Sequence, residues 1–333
     1  MAVTVDIFNP QETVVAKGLE GKSIFLYGGN STGKTSQCVR LSKPFVIATE
    51  SGLNATVGVK YIRVQSWADF KKIVKQFTSK TTVEKARAMY DTIIVDELYA
   101  TALLCQEYIQ TVVGGGALTL GDTIEGGKVN LYQAYEKEFF KTINLLLSCN
   151  YTVVFIGHEQ EKDGKMYPKG DKRSVDPVRD FVDYVIYVKS NGVDEDGKVI
   201  PSSAYLAETN EFFARSRFET TPTYLPVWSA EALEEAVNIG IQGLVDKTGV
   251  DAVTFDVQKE MNTTVKYDFD EVMDKLMAVG QKFADADKMD ELTEIVEATL
   301  GVGRKVSQCT KKQLDALVII LDDLTDRAKE LNI

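Results

Sequence analysis

The feature that most constrains this chain is an eight-residue run, Gly28-Gly29-Asn30-Ser31-Thr32-Gly33-Lys34-Thr35, which satisfies G-x-x-x-x-G-K-[ST] in full. The apolar run Ser23–Tyr27 precedes it, and a helical pattern from Lys34 to about Leu41 follows. A strand, a glycine loop and a helix in that order build an anion cradle. Glycines allow backbone angles that turn successive N–H groups inward. The helix N-terminus adds partial positive charge. Residues Gly28 to Ser36 would then wrap a nucleotide's phosphates, with Lys34 reaching the β- and γ-phosphates. The Thr35 hydroxyl would ligate Mg²⁺. ATP and Mg²⁺ are the expected ligands.

The rest of the chain supplies the frame that such a loop needs. Pro44–Thr49, Thr92–Val95 and Tyr151–Ile156 are short apolar runs separated by helical stretches. Ser66 caps one helix whose Trp67, Phe70, Val74 and Phe77 share a face; others are expected near 98–112 and 129–148. Strands alternating with helices predict βαβ units and a mostly parallel sheet. Val182–Val188, Ala204–Glu208 and Phe212–Phe218 follow one another with turn residues between, which predicts an antiparallel extension. Pro222 and Pro226 mark the exit from this domain. The expected organisation is an α/β P-loop domain over 1–230 and an acidic, mainly helical domain over 231–333. In the latter, Thr310–Gln313 fits a capping box, and Leu314, Leu317, Leu321 and Leu324 form one stripe.

Charge separates the two parts. Residues 231–333 hold 22 acids and 12 bases, a net of −10, against −1 for residues 1–230. That balance excludes a uniformly DNA-coating protein, because like charge repels phosphate. The four cysteines form no Cys-x-x-Cys pair, and the single histidine, His158, excludes a multi-histidine metal site. The sequence has no apolar run of membrane-spanning length and no signal-peptide pattern at Met1–Asp6. A cytoplasmic protein with no membrane partner is expected, in the host cytoplasm if phage-encoded.

Three further strand ends carry chemistry. Ile93-Ile94-Val95 leads into Asp96, placed to hold Mg²⁺ through water. Hydrolysis needs a group that orients or deprotonates water. Glu50, after the strand that follows the phosphate loop, and Glu97, next to Asp96, are both candidates. His158 ends the run Val153–Gly157, where it is either a γ-phosphate sensor or a structural histidine.

These residues together resemble the RecA-type ATPase core, and most closely the compact RecA-like ATPases of bacteriophages, some of which anneal single-stranded DNA. Tyr27–Thr35 resembles the family's P-loop, and Phe45–Glu50 the strand that ends in its catalytic glutamate. Ile93–Asp96 resembles its Walker B strand, and Val154–His158 the strand with its γ-phosphate sensor. Phe213–Phe218 resembles the late strand that carries basic residues. The resemblance covers roughly residues 20–228. It implies an ATPase that forms a homo-oligomeric ring or filament, with Arg215 and Arg217 offered to a neighbour's γ-phosphate. It favours Glu50 as the base. It also implies single-stranded DNA as partner, held by loops at Val113–Lys128 and Glu161–Arg179.

The second loop fits that role in composition. Residues 162–179 hold six bases and three acids, with Tyr167 among them. Cations for phosphates and a ring for stacking are what a sequence-neutral strand binder needs. Lys165, Tyr167, Lys169, Lys172 and Arg173 are the candidate contacts; the alternative is a solvated hairpin turning at Asp163-Gly164. The leading expectation is an ATP-dependent single-stranded DNA binder acting in phage recombination, annealing or replication. The alternative is a P-loop motor or switch acting on a protein partner through the acidic C-terminal domain. A small-molecule phosphotransferase ranks lower, since no compact arginine-rich lid is visible.

Overall fold

The computed structural model describes residues 8, 10, 12–50, 52–122, 129–261 and 267–333. Its strands are β1 (Ser23–Gly28), β2 (Pro44–Ala48), β3 (Lys60–Arg63), β4 (Thr92–Asp96), β5 (Thr152–Lys162), β6 (Lys165–Pro168), β7 (Tyr184–Lys189), β8 (Ser203–Tyr205), β9 (Arg215–Ser216) and β10 (Tyr224–Leu225). Its α-helices are α1 (Lys34–Cys38), α2 (Trp67–Thr78), α3 (Val83–Met89), α4 (Leu98–Tyr108), α5 (Leu131–Leu147), α6 (Val175–Phe181), α7 (Ala230–Thr248), α8 (Phe255–Met261), α9 (Phe269–Asp285), α10 (Met289–Leu300) and α11 (Leu314–Leu331).

The strand order is β10-β8-β7-β1-β5-β4-β2-β3, with β6 beside β5 and β9 beside β7. Strands β7, β1, β5, β4, β2 and β3 run parallel. Strands β8, β9 and β10 extend the sheet antiparallel. The fold is therefore α/β with a mostly parallel sheet, an antiparallel extension and a C-terminal helical region. One strand, β5, separates the phosphate-loop strand β1 from the Asp96 strand β4.

Central strands with helices on both faces are apolar throughout. Alternate residues take opposite sides. Phe25, Tyr27, Ile47, Val95 and Phe155 join one core, which α2, α4 and α5 cover with Trp67, Phe70, Leu98, Phe139 and Ile143. Ile24, Leu26, Val46, Ile94 and Ile156 join the other, which α7 covers with Leu233, Ala236, Val237 and Ile241.

Several elements differ from the expected pattern: the strands expected at Ala204–Glu208 and Phe212–Phe218 shorten to β8 and β9, and the strand expected to end at His158 runs on to Lys162. The edge strand β3, Lys-Tyr-Ile-Arg, is exposed along its length and carries no apolar run. The stretch 161–179, expected as a loop, folds as the β5–β6 hairpin and α6, with Asp163 and Gly164 at positive φ in the turn.

The chain divides into two compact units, Gln11–Glu260 and Met261–Ile333 with Phe8 and Pro10. The expected boundary at 230/231 precedes this division by α7 and nearly all of α8. Helix α7 lies inside the first unit because its apolar face is the cover of the second sheet face. The acidity is divided accordingly, net −5 in residues 231–260 and net −5 in 261–333. Within the second unit, α9, α10 and α11 enclose Val272, Leu276, Phe283, Val296, Leu317, Ile320 and Leu324. The capping box at Thr310 and Gln313 is formed ahead of α11.

A chain ending after Glu260 is expected to fold, and one ending after Ala230 to aggregate, as circular dichroism and gel filtration would report. Leu233→Ala should cost the first unit about 2–5 kcal/mol in urea unfolding. A folded, soluble 1–230 fragment would restore the earlier boundary.

Candidate active site

The phosphate loop leaves β1 at Gly28. A side chain there would meet the Val188 carbonyl oxygen at 2.1 Å, so only glycine passes between β1 and β7. Gly33 has φ 84° at the N-cap of α1, a left-handed angle that glycine adopts without strain. Lys34 is buried, and its ammonium donates to the carbonyls of Gly28 at 2.8 Å and Gly29 at 2.6 Å. Burial lowers its pKa, while Asp96 and Glu159 pull the other way. An arriving phosphate would supply counter-charge to this desolvated cation.

The Thr35 hydroxyl donates to Asp96 Oδ2 at 2.8 Å. Both groups line a cleft of about 430 Å³ together with Asn30–Ser36, Glu50 and His158. Burial raises the Asp96 pKa, as does Glu50; the Thr35 bond lowers it. A hydroxyl and a carboxylate side by side are hard oxygen donors, which fit Mg²⁺.

Thr49, the residue before Glu50, ties the end of β2 to Asp96 and Glu97, a role its sequence context does not announce. Its N–H donates to the Asp96 carbonyl at 2.8 Å. Its hydroxyl accepts from the Glu97 N–H at 2.9 Å and donates to the Glu97 carbonyl at 3.1 Å. Glu97 itself is buried and caps α4, accepting from the N–H groups of Tyr99 at 3.3 Å and Ala100 at 3.1 Å. Burial raises its pKa and the Ala100 bond opposes this. Glu50 is exposed to the cleft, with Oε2 3.5 Å from His158 Nε2. Glu50, Glu97 and His158 each present one ligand atom within 4.8 Å of the others, the metal-capable group among the described residues.

A neighbouring cleft of about 620 Å³ is lined by Gly28, Gly29, Asn30, Glu50, His158, Glu159 and Lys169. Both clefts fall in the range of about 300–1,000 Å³ usual for small-molecule sites. Lys169 is the unexpected member, because its sequence context assigns it to a strand-binding loop.

The other expected residues lie apart from these clefts. Arg215 donates to the carbonyls of Arg179, Asp180 and Val182 at the end of α6. Arg217 donates to those of Asp180, Phe181 and Val182. The two point to one side, as alternation demands, yet there they cap a helix. Lys165 is paired with Glu208, and Tyr167 stacks on Phe213 at 6.1 Å. Lys172 and Arg173 are exposed, with the Arg173 guanidinium 4.4 Å above the Tyr132 ring. Residues 123–128 of the expected first strand-binding loop lie outside the described residues.

No helix among the described residues is long and apolar enough to cross a membrane. The AAA domain family matches residues 20–218. An SPbeta prophage-derived uncharacterized protein, YorG, of Bacillus subtilis (strain 168) is 46% identical over 334 residues, covering 98% of this chain and 100% of the relative.

Lys34→Ala is expected to lose nucleoside-triphosphate binding in calorimetry while circular dichroism stays unchanged. Asp96→Asn should weaken the Mg²⁺ dependence of that binding about tenfold, the scale of one charge-assisted interaction. Unaltered binding by both variants would remove the nucleotide from this cleft.

Proposed function

The chain belongs to the AAA domain family of P-loop ATPases, and on that premise we propose that it is a Mg²⁺-dependent ATPase whose nucleotide state governs binding of single-stranded DNA. The observation that carries the hydrolytic part is the placement of Glu50, a cleft-facing carboxylate beside His158, across from the phosphate loop. Bound Mg²⁺, held by Thr35 and Asp96, would supply charge neutralisation for the β- and γ-phosphates. Lys34 binds those phosphates. Glu50 orients the attacking water and takes its proton. His158 holds the Glu50 carboxylate in place. Glu97 is committed to capping α4, so Glu50 is the better base.

What supports single-stranded DNA as partner is an exposed pair of cations in the second expected segment, Lys172 and Arg173, set beside an aromatic ring of α5. Tyr132 stands just after the glycine-rich stretch, and Arg173 stacks on its ring. Lys172 and Arg173 would contact phosphates and Tyr132 a base. Lys165 and Tyr167 have partners within the chain and contribute less than their sequence suggests. A role in phage recombination, annealing or replication would follow from strand binding.

Glu50→Gln is expected to bind ATP and to lose about 10²-fold or more in turnover. Glu97→Ala should lower stability by about 0.5–2 kcal/mol through the missing cap. A turnover loss confined to Glu97→Gln would transfer the base to Glu97. Single-stranded DNA should stimulate phosphate release by the parent chain. Lys172→Ala/Arg173→Ala should weaken strand binding and flatten its salt slope by about 0.7 for each phosphate no longer neutralised. A parent chain that ignores single-stranded DNA in every nucleotide state would favour a protein partner instead.

A further inference from the structure

We propose that Lys169 binds the terminal phosphate of ATP in its own subunit, making it the residue by which the β5–β6 hairpin distinguishes ATP from ADP. The proposal rests on the ATP reading above and adds the specificity-determining contact. Lys169 shares a cleft with Gly29 and Asn30 of the phosphate loop and with Glu50 and His158. This is the end of the loop where the γ-phosphate lies if Lys34 spans the β- and γ-phosphates.

The backbone holds Lys169 at that place. Its N–H donates to the His158 carbonyl at 2.8 Å. The Gln160 amide donates to the carbonyls on either side of it, Pro168 at 3.1 Å and Gly170 at 3.4 Å. Pro168 is buried. The side chain, by contrast, is exposed. Its ammonium lies over the Tyr99 ring, 5.8 Å from the centroid, and makes none of the ion pairs formed among the described residues.

Electrostatics argue for the same contact. The cleft already contains the carboxylates of Glu50 and Glu159. A terminal phosphate arriving there meets two like charges and needs a cation on that side of the loop. Lys34 is held by the carbonyls of Gly28 and Gly29 and does not line this cleft. Lys169 is the lysine that lines this cleft among the described residues. ADP lacks the group that would draw it in, so the lysine would stay on Tyr99.

The test is calorimetric titration of the full chain, in Mg²⁺, with a slowly hydrolysed ATP analogue and with ADP. Lys169→Ala should lose about tenfold or more in affinity for the analogue, the scale of one charge-assisted hydrogen bond. ADP affinity should be kept, which also reports an intact fold. Lys169→Arg should recover most of the loss. An unchanged preference for the analogue over ADP in Lys169→Ala would overturn the assignment while leaving the ATPase reading standing. So would an equal loss for both nucleotides. Impaired single-stranded DNA binding with unaltered nucleotide preference would overturn it too and return Lys169 to the strand surface. If the parent chain binds neither nucleotide, both readings fall.

Discussion

The in-register parallel pairing of β1, β5, β4 and β2 sets Gly28 level with His158, and Asp96 level with both Ile156 and Ala48. The parallel pairings therefore end at one edge within two residues of each other, where β1, β4 and β2 stop and β5 runs on into the hairpin. Parallel strands point their carboxyl ends the same way, and an open α/β sheet binds ligands beyond those ends. The glycine loop, Glu50, Asp96 and His158 are neighbours for that reason alone. A one-residue slip in β4 would turn Asp96 to the other side of the sheet and separate it from Thr35. The buried Ile93, Ile94 and Val95 resist such a slip, since each fills a defined side of the sheet.

A second constraint ties that edge to the hairpin. Tyr27, the residue before Gly28, is fully buried, and its hydroxyl donates toward the carbonyls of Met166 and Phe213. A phenol buried in an apolar core must find partners inside the protein. Here the partners are β6 and the segment leading into β9. The strand that feeds the phosphate loop thus shares a polar contact with the hairpin that carries Lys169. Glu159 of β5 is tied to β7 instead, accepting from the Tyr187 hydroxyl at 2.8 Å while lining the phosphate cleft.

Sequence order explains which parts are legible without the structure. The phosphate loop is contiguous, so Gly28 to Ser36 can be read from eight or nine letters. Asp96 follows a run buried on both faces, and that run is visible as unbroken apolar residues. Glu50 is readable as a strand end once the parallel sheet is accepted, whereas His158, expected at a strand end, is the last parallel-paired residue of a β5 that runs on to Lys162. The Thr49 tether is illegible, because it depends on β2 lying beside β4, a pairing of residues 48 positions apart. Lys169 misleads for the opposite reason. Local composition puts it in a basic track, whereas the hairpin turn folds it back to the phosphate loop. Arg215 and Arg217 share a side, as period two requires, but what that side faces is set by the end of α6.

The place of α7 in the first unit shows how a motif can hide its own support. Helix α1 is five residues long, too short to hold itself together in water. Its neighbours come from the far end of that unit. Trp228 Nε1 donates to the Gly33 carbonyl at 3.3 Å, and Gln37 accepts from the Ala230 N–H at 3.3 Å. Arg40 and Glu231 pair at 2.5 Å, an exposed contact that adds little by itself. The apolar face of α7 then locks the arrangement against Leu26 and Ile186. The charges of α7 draw it toward the acidic C-terminal part in a reading by composition, yet those charges lie on its solvent side. Its buried side is what fixes the helix whose N-terminus must meet phosphate. The geometry of the nucleotide loop thus depends on a segment almost two hundred residues away that carries no motif.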